Sequence, residues 1–132
     1  MITYLWIAVG GAFGSMARYA STNLVASWLG AHFPWGTLMI NVLGSFVIGF
    51  FAALTGPGGK VFVHNDVRLF VMVGICGGYT TFSSFSLQTL DLMRDGNYSR
   101  AGLNVVGSVV LCLSAVFIGY AAAAAINTAK AS

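Results

Sequence analysis

The chain has 132 residues, of which 58% are hydrophobic and 7% are charged, and it contains no glutamate. Soluble domains carry about 25% charged residues, so this composition excludes a soluble globular protein. Short alternating segments typical of a β-barrel do not occur, which predicts an all-α integral membrane protein. The net charge of +3 comes from scattered residues without a basic run, and so it does not indicate nucleic-acid binding.

The hydrophobic pattern predicts one domain, residues 1–132, with four transmembrane helices. The predicted spans are 3–26, 36–54, 69–92 and 101–127. Pro and Gly residues in the segments 32–36 and 56–59 separate the first three spans, because these residues punctuate helices. The N-terminus lacks the basic region of a signal peptide, so we expect the first helix to be retained.

The third predicted span is interrupted at residues 77–83. Gly77 and Gly78 weaken a helix there, and the following Thr and Ser hydroxyls compete for backbone hydrogen bonds. A polar, broken segment at membrane depth is tolerated only where it is buried in protein or lines a wet cavity. We therefore predict a discontinuous helix whose carbonyls and helix ends bind ions.

The cations are balanced between the two predicted sides of the membrane. One side holds Lys60, Arg68 and Lys130, and the other holds Arg94, Arg100 and, if its side chain extends outward, Arg18. The positive-inside rule needs an asymmetry to fix one orientation. The balance favours insertion in both orientations and an antiparallel, dual-topology homodimer. A weak bias that fixes one topology is the alternative.

Several polar side chains lie inside the predicted spans, where each is expensive in lipid. Arg18 is either an interfacial anchor or a cation that draws anions into a vestibule. Asn41 is either pore-facing or part of an interhelical hydrogen bond. Asn104, Ser108 and Cys112 share one helix face by their spacing of four residues, as an ion track or as helix–helix contacts.

Phe82 and Phe85 also share a face of the interrupted span. Phenylalanine is ordinarily a core or lipid-facing residue, but inside a polar break its electropositive ring edge can contact an anion. Cys76 and Cys112 fall in apolar segments, and we interpret them as small buried hydrophobes rather than as a disulfide or metal pair.

Other kinds of chemistry find little support in the sequence. No carboxylate lies deep in a span, as proton-coupled transport normally requires. The hydroxyl groups have no neighbouring histidine, and no cluster of metal ligands occurs, so an enzyme is not expected.

The sequence GGYTTFSSFS at residues 77–86 resembles the third-helix signature of the Fluc (CrcB) family of fluoride channels. The resemblance covers residues 1–127. It includes Gly10-Gly11 through Arg18 in the first helix, residues 36–41 at the start of the second, and the turn at 95–98.

The resemblance implies a passive, fluoride-selective channel that exports fluoride from a bacterial cytoplasm and relieves fluoride toxicity. It implies an antiparallel dimer in the inner membrane, in both orientations, with two pores. A structural Na⁺ at the dimer centre would be held by the backbone carbonyls of Gly77 and Thr80.

The resemblance also assigns residues to the fluoride pathway. The implied pore residues are Asn41, Thr81, Phe82, Ser83, Phe85, Ser108 and Cys112, with Arg18 as the helix-one arginine. The Cys112 position usually carries a hydroxyl in the family, and a thiol is a weaker donor.

Two other functions compete with the channel. A small dual-topology drug or cation exporter would need a carboxylate in the first helix, where the only charge is Arg18. A membrane scaffold or assembly subunit would conduct nothing.

Overall fold

The computed structural model describes residues 1–129, and this part of the chain is helical without strands, which confirms the predicted all-α class. Lys130, one of the cations in the predicted charge balance, lies outside the described residues. Three long helices are α1 (Ile2–Leu29), α2 (Trp35–Thr55) and α6 (Tyr98–Ala129). Between α2 and α6 lies an interrupted unit of four elements: α3 (Asn65–Leu69), a π-helical segment (Phe70–Cys76), α4 (Gly77–Tyr79) and α5 (Phe82–Arg94).

Three helical units of the described part are long and apolar enough to cross a membrane. They are Trp35–Thr55, Asn65–Arg94 and Tyr98–Ala129. Helix α1 has 28 residues, and at 1.5 Å per residue it is about 42 Å long, but it is not among these three. A crossing by α1, and with it the count of four spans, stays a prediction.

The interrupted unit changes direction at only two residues. Thr80 (φ −87°, ψ 158°) and Thr81 (φ −154°, ψ 116°) are extended, whereas Gly77 is helical (φ −64°, ψ −37°). Both extended residues lie within the predicted break at residues 77–83, and the extended stretch is shorter than that range. Gly78 instead faces α1, where an added Cβ would approach a backbone carbonyl to 2.7 Å, so this glycine serves close helix packing.

Glycines also allow the tight contact between α2 and α6. An added Cβ at Gly49 would collide with the carbonyl of Val116, and one at Gly119 would collide with the carbonyl of Phe46. Backbones that approach this closely leave no room for larger residues. Helices α2 and α6 therefore form a tightly packed pair, whereas the interrupted unit packs chiefly against α1.

Hydrogen bonds show which loops lie together at each end of the bundle. Thr3 donates to the carboxylate of Asp66 (2.8 Å), and the Lys60 ammonium donates to a carbonyl near the end of α6 (3.1 Å). The N-terminus, the second loop and the end of α6 therefore lie at one end. Arg100 donates to a carbonyl in the first loop (3.5 Å), at the other end. The predicted charge balance assumes this same arrangement of the loops and helix ends.

Candidate ion pathway

Side chains hold the backbone of the break. The N–H of Thr81 donates to Oδ1 of Asn41 (2.8 Å), and Nδ2 of Asn41 donates to the carbonyl of Thr81 (3.1 Å). The Thr81 hydroxyl accepts from the N–H of Ser84 (3.1 Å), and it therefore caps the N-terminus of α5. The hydroxyl and the N–H of Thr80 both donate to the carbonyl of Cys76 (2.9 and 3.0 Å).

Because of these bonds, two backbone carbonyls lose the N–H donors that they would have in a continuous helix. In an α-helix the N–H of Thr81 would bond to the carbonyl of Gly77, and that of Ser84 to the carbonyl of Thr80. Here both N–H groups bond to side-chain oxygens instead. The two diverted carbonyls are those that the family resemblance assigns to Na⁺. Gly77 is also exposed on the surface of the chain.

A cavity of about 390 Å³ lies between α2, the interrupted unit and α6, and we call it the central cavity. Its lining brings together most of the residues predicted for the pore and the ion site: Asn41, Gly77, Thr80, Thr81, Phe82, Phe85, Ser108 and Cys112. Ser83 is not among the lining residues. It is exposed, and its hydroxyl lies 3.3 Å from that of Thr81.

The two phenylalanines of the motif contact each other but differ in burial. Their ring centroids are 5.3 Å apart, with 52° between the ring planes. Phe85 is 8% exposed, whereas Phe82 is 77% exposed. One ring therefore belongs to the core of the chain, and the other projects from its surface beside the central cavity.

The polar row of α6 divides into two parts. Asn104 is 2% exposed and donates to the Thr89 hydroxyl of α5 (2.9 Å), so it joins two helices and does not line the cavity. Ser108 donates to Asn104 Oδ1 (3.4 Å) and lines the cavity. Cys112 also lines the cavity, and its side chain interacts with that of Ser45.

Arg18 lies in a second cavity of about 330 Å³, which we call the arginine cavity. Its lining residues are Ser15, Arg18, Tyr19, Thr22, Thr37, Thr81, Ser84 and Gln88. Thr81 lines both cavities, so the two spaces adjoin at the break. The partly buried Arg18 supplies a positive charge on the far side of that residue.

Sequence reasoning missed several lining residues of these cavities, and two of them are polar or sulfur-bearing groups buried in the chain. Gln88 lines the arginine cavity, and its Oε1 is buried without a hydrogen-bond partner in the described part of the chain. A glutamine inside a predicted span was the available signal. Cys76, interpreted as a plain buried hydrophobe, is 4% exposed and lines the central cavity. Cys76 and Cys112 lie far apart in the sequence, so no motif predicted that they line the same cavity.

Comparison with known proteins gives consistent matches over nearly the whole chain. Residues 5–120 match the family model described as "CrcB-like protein, Camphor Resistance (CrcB)". The chain is 60% identical over 132 residues to a protein of Opitutus terrae named "Fluoride-specific ion channel FluC", and the match covers 100% of each chain. Proteins of the same name from Methylocella silvestris and Rhodospirillum rubrum are each 58% identical, over 96% of this chain and 97% and 98% of their own lengths.

Proposed function

We propose a function from one premise: the chain belongs to the CrcB-like protein family, whose model matches residues 5–120. Membership confirms the family resemblance seen in the sequence. The relatives are named as ion channels, so the prediction that the chain is not an enzyme is confirmed as well. The proposed function is passive, fluoride-selective conduction out of the cytoplasm, which relieves fluoride toxicity.

The composition of the central cavity carries this proposal. Its described lining residues offer amide, hydroxyl and thiol groups and aromatic ring edges, and none of them is charged. Fluoride holds its water tightly, so a pathway must replace that water with hydrogen-bond donors and still release the ion. Neutral donors meet both demands, because no fixed full charge traps the anion. Asn41 has a second Nδ2 hydrogen beyond the one that it donates to the Thr81 carbonyl, and the Ser108 hydroxyl can turn to the anion from its 3.4 Å bond to Asn104.

Arg18 has a separate role in the proposal. The arginine cavity adjoins the central cavity at Thr81, so a positive charge there raises the local anion concentration at one entrance. Arg18 therefore acts at a vestibule rather than in the pathway itself. The first helix has no carboxylate, and none of the described lining residues of the central cavity is charged, and both observations weigh against the exporter alternative.

The exposed parts of the motif support a homodimer. Gly77 and the 77% exposed ring of Phe82 face away from the chain beside the central cavity. A second copy in antiparallel orientation would cover both and would complete one pathway on each chain. Two pores per dimer follow from this symmetry, and the balanced cations agree with insertion in both orientations of a bacterial inner membrane.

The same surface suits a central Na⁺. Hard monovalent cations are bound by carbonyls of unwound helix segments. Gly77 and Thr80 each have a carbonyl whose helical donor is diverted, and an antiparallel dimer would bring both pairs together. Bound Na⁺ would supply a positive charge at the dimer centre and would join the two interrupted units.

Reconstitution into liposomes tests the proposed function. The purified protein is placed in fluoride-loaded liposomes with a potassium ionophore, and efflux is followed with a fluoride electrode. We expect fast fluoride release and negligible release from matched chloride-loaded liposomes. No fluoride release from verified, folded protein would favour the scaffold, and release that requires a counter-gradient would favour the exporter.

A further inference from the structure

Three sulfur-bearing side chains line the central cavity. Met72 and Cys76 come from the π-helical segment, and Cys112 comes from α6. Met72 and Cys76 are four residues apart, so they occupy neighbouring positions on one face of that segment. Both cysteines are free thiols. Side chains from two separate elements thus place a thioether and two thiols in the wall of one cavity.

The buried thiol has no competing hydrogen-bond partner among residues 1–129. Cys76 is 4% exposed, and among the described residues its sulfur makes no hydrogen bond. The hydrogen bonds at this residue involve its backbone carbonyl, which accepts from Thr80. A thiol is a weak hydrogen-bond donor and can be buried without a partner, and its sulfur in the cavity wall can then bind a soft metal ion.

The three sulfur atoms indicate which kind of metal ion would bind here. Thiolate and thioether sulfur atoms favour soft ions such as Cu⁺ over hard ions. The described lining residues carry no charge, and a net charge is costly in a medium of low dielectric. A monovalent cation with one thiolate gives a neutral complex, whereas a divalent ion would leave a net positive charge.

We propose that Met72, Cys76 and Cys112 form a site for a soft monovalent cation, Ag⁺ or Cu⁺, inside the central cavity. Binding replaces the proton of one thiol by the metal and releases that proton to water, with no change in oxidation state. The bound ion occupies the space between the interrupted unit and α6, so it blocks conduction. The blocking step rests on the proposed channel function, and the binding step does not.

Silver binding tests the site directly. Purified protein in chloride-free detergent solution is titrated with silver nitrate, and the sulfur-to-metal charge-transfer absorbance and the bound metal are measured. We expect one tightly bound Ag⁺ per chain. Replacing Cys76 or Cys112 should weaken binding about tenfold or more, and Met72→Leu should weaken it about threefold.

Matched variants separate the shared site from simple thiol reactivity. Each cysteine is replaced by both Ser and Ala, so that burial of a hydroxyl does not decide the result. Met93→Leu is the control, because Met93 is 43% exposed on α5 and does not line the cavity. Two independent Ag⁺ ions per chain, with one retained at unchanged affinity in each single cysteine variant, would overturn the shared site. No tight binding would do so as well.

Fluoride efflux in the presence of Ag⁺ tests the block. Each variant is compared with its own untreated rate, because Cys112 lies in the proposed pathway. We expect Ag⁺ to slow wild-type efflux about tenfold or more and to leave the Cys112→Ser rate near its untreated value. Bound Ag⁺ without slowing would overturn the block. If untreated liposomes release no fluoride, the channel proposal fails, and the silver titration still decides the metal site.

Discussion

Asn41 of α2 is bonded through both ends of its side-chain amide to the backbone of Thr81. Its Oδ1 accepts the Thr81 N–H at 2.8 Å, and its Nδ2 donates to the Thr81 carbonyl at 3.1 Å. The residue therefore fixes the place where α5 begins relative to α2. An interhelical hydrogen bond and a position in the cavity wall were competing interpretations of the sequence, and the structure combines them in one residue.

Replacing Asn41 by Ala should destabilise the fold and abolish fluoride efflux. Two backbone groups of Thr81 lose their partners, and each unpaired buried group costs about 1–3 kcal/mol. We therefore expect the free energy of unfolding to fall by about 2–6 kcal/mol. Denaturant unfolding followed by circular dichroism measures this change.

Asn23→Ala is the matched control for that substitution. Asn23 lies exposed on α1, so its replacement should change the free energy of unfolding by less than about 0.5 kcal/mol. Equal effects of the two substitutions would contradict the role given to Asn41.

Phe82→Ile should slow fluoride efflux with little effect on the stability of the single chain. The ring is 77% exposed, so its packing within the chain contributes little. Isoleucine retains bulk but lacks an electropositive ring edge, which in the proposed pathway would contact the anion. We expect efflux to fall about tenfold or more, measured in liposomes. Phe117→Ile is the control, since Phe117 is 72% exposed on α6 and does not line the central cavity. Normal efflux in both Phe82→Ile and Phe85→Ile would refute the aromatic pathway.

Removal of Na⁺ should dissociate the proposed dimer and stop efflux. The carbonyls of Gly77 and Thr80 would then face each other across the two-fold axis without a cation between them. Long dialysis into a buffer of N-methyl-glucamine, followed by light scattering and efflux measurement, tests this expectation. Added Na⁺ should restore both properties, and added N-methyl-glucamine should not. Unchanged mass and efflux after complete exchange would remove the sodium proposal.

Gly119→Ala should destabilise the contact between α2 and α6. An added Cβ would collide with the carbonyl of Phe46, and overpacking of this kind costs about 1–3 kcal/mol. Thermal unfolding measures the loss. Gly102→Ala is the control, because an added Cβ there meets no atom within 4 Å, and alanine in an exposed helix should be neutral or stabilising by about 1 kcal/mol. Similar melting temperatures for the two variants would show that the glycine contact is not required.

The sequence predicted an interrupted helix with a break at residues 77–83, and the extended residues Thr80 and Thr81 lie within that range. Thr and Ser hydroxyls signalled competition for backbone bonds, yet the extended conformation of Thr81 depends on Asn41, which is 40 positions away. Spacing likewise grouped Asn104 with Ser108. Their different roles depend on Thr89 of α5, which accepts from Asn104. The residue pattern of each segment predicted the helices. Contacts between segments determine which polar side chains are used in hydrogen bonds within the fold, and these contacts could not be predicted from the pattern.

Peptide groups supply the polarity at the break. From Leu69 to Leu90 the chain has no acid, amine, guanidinium or imidazole side chain. The carbonyl end of α4 and the amide end of α5 meet at Thr80 and Thr81, so opposite ends of two helix dipoles lie side by side. Peptide groups do not titrate, so the part of the local field that they supply is the same in acidic and alkaline medium. A pH dependence of transport would then originate in the permeating ion or in titratable side chains.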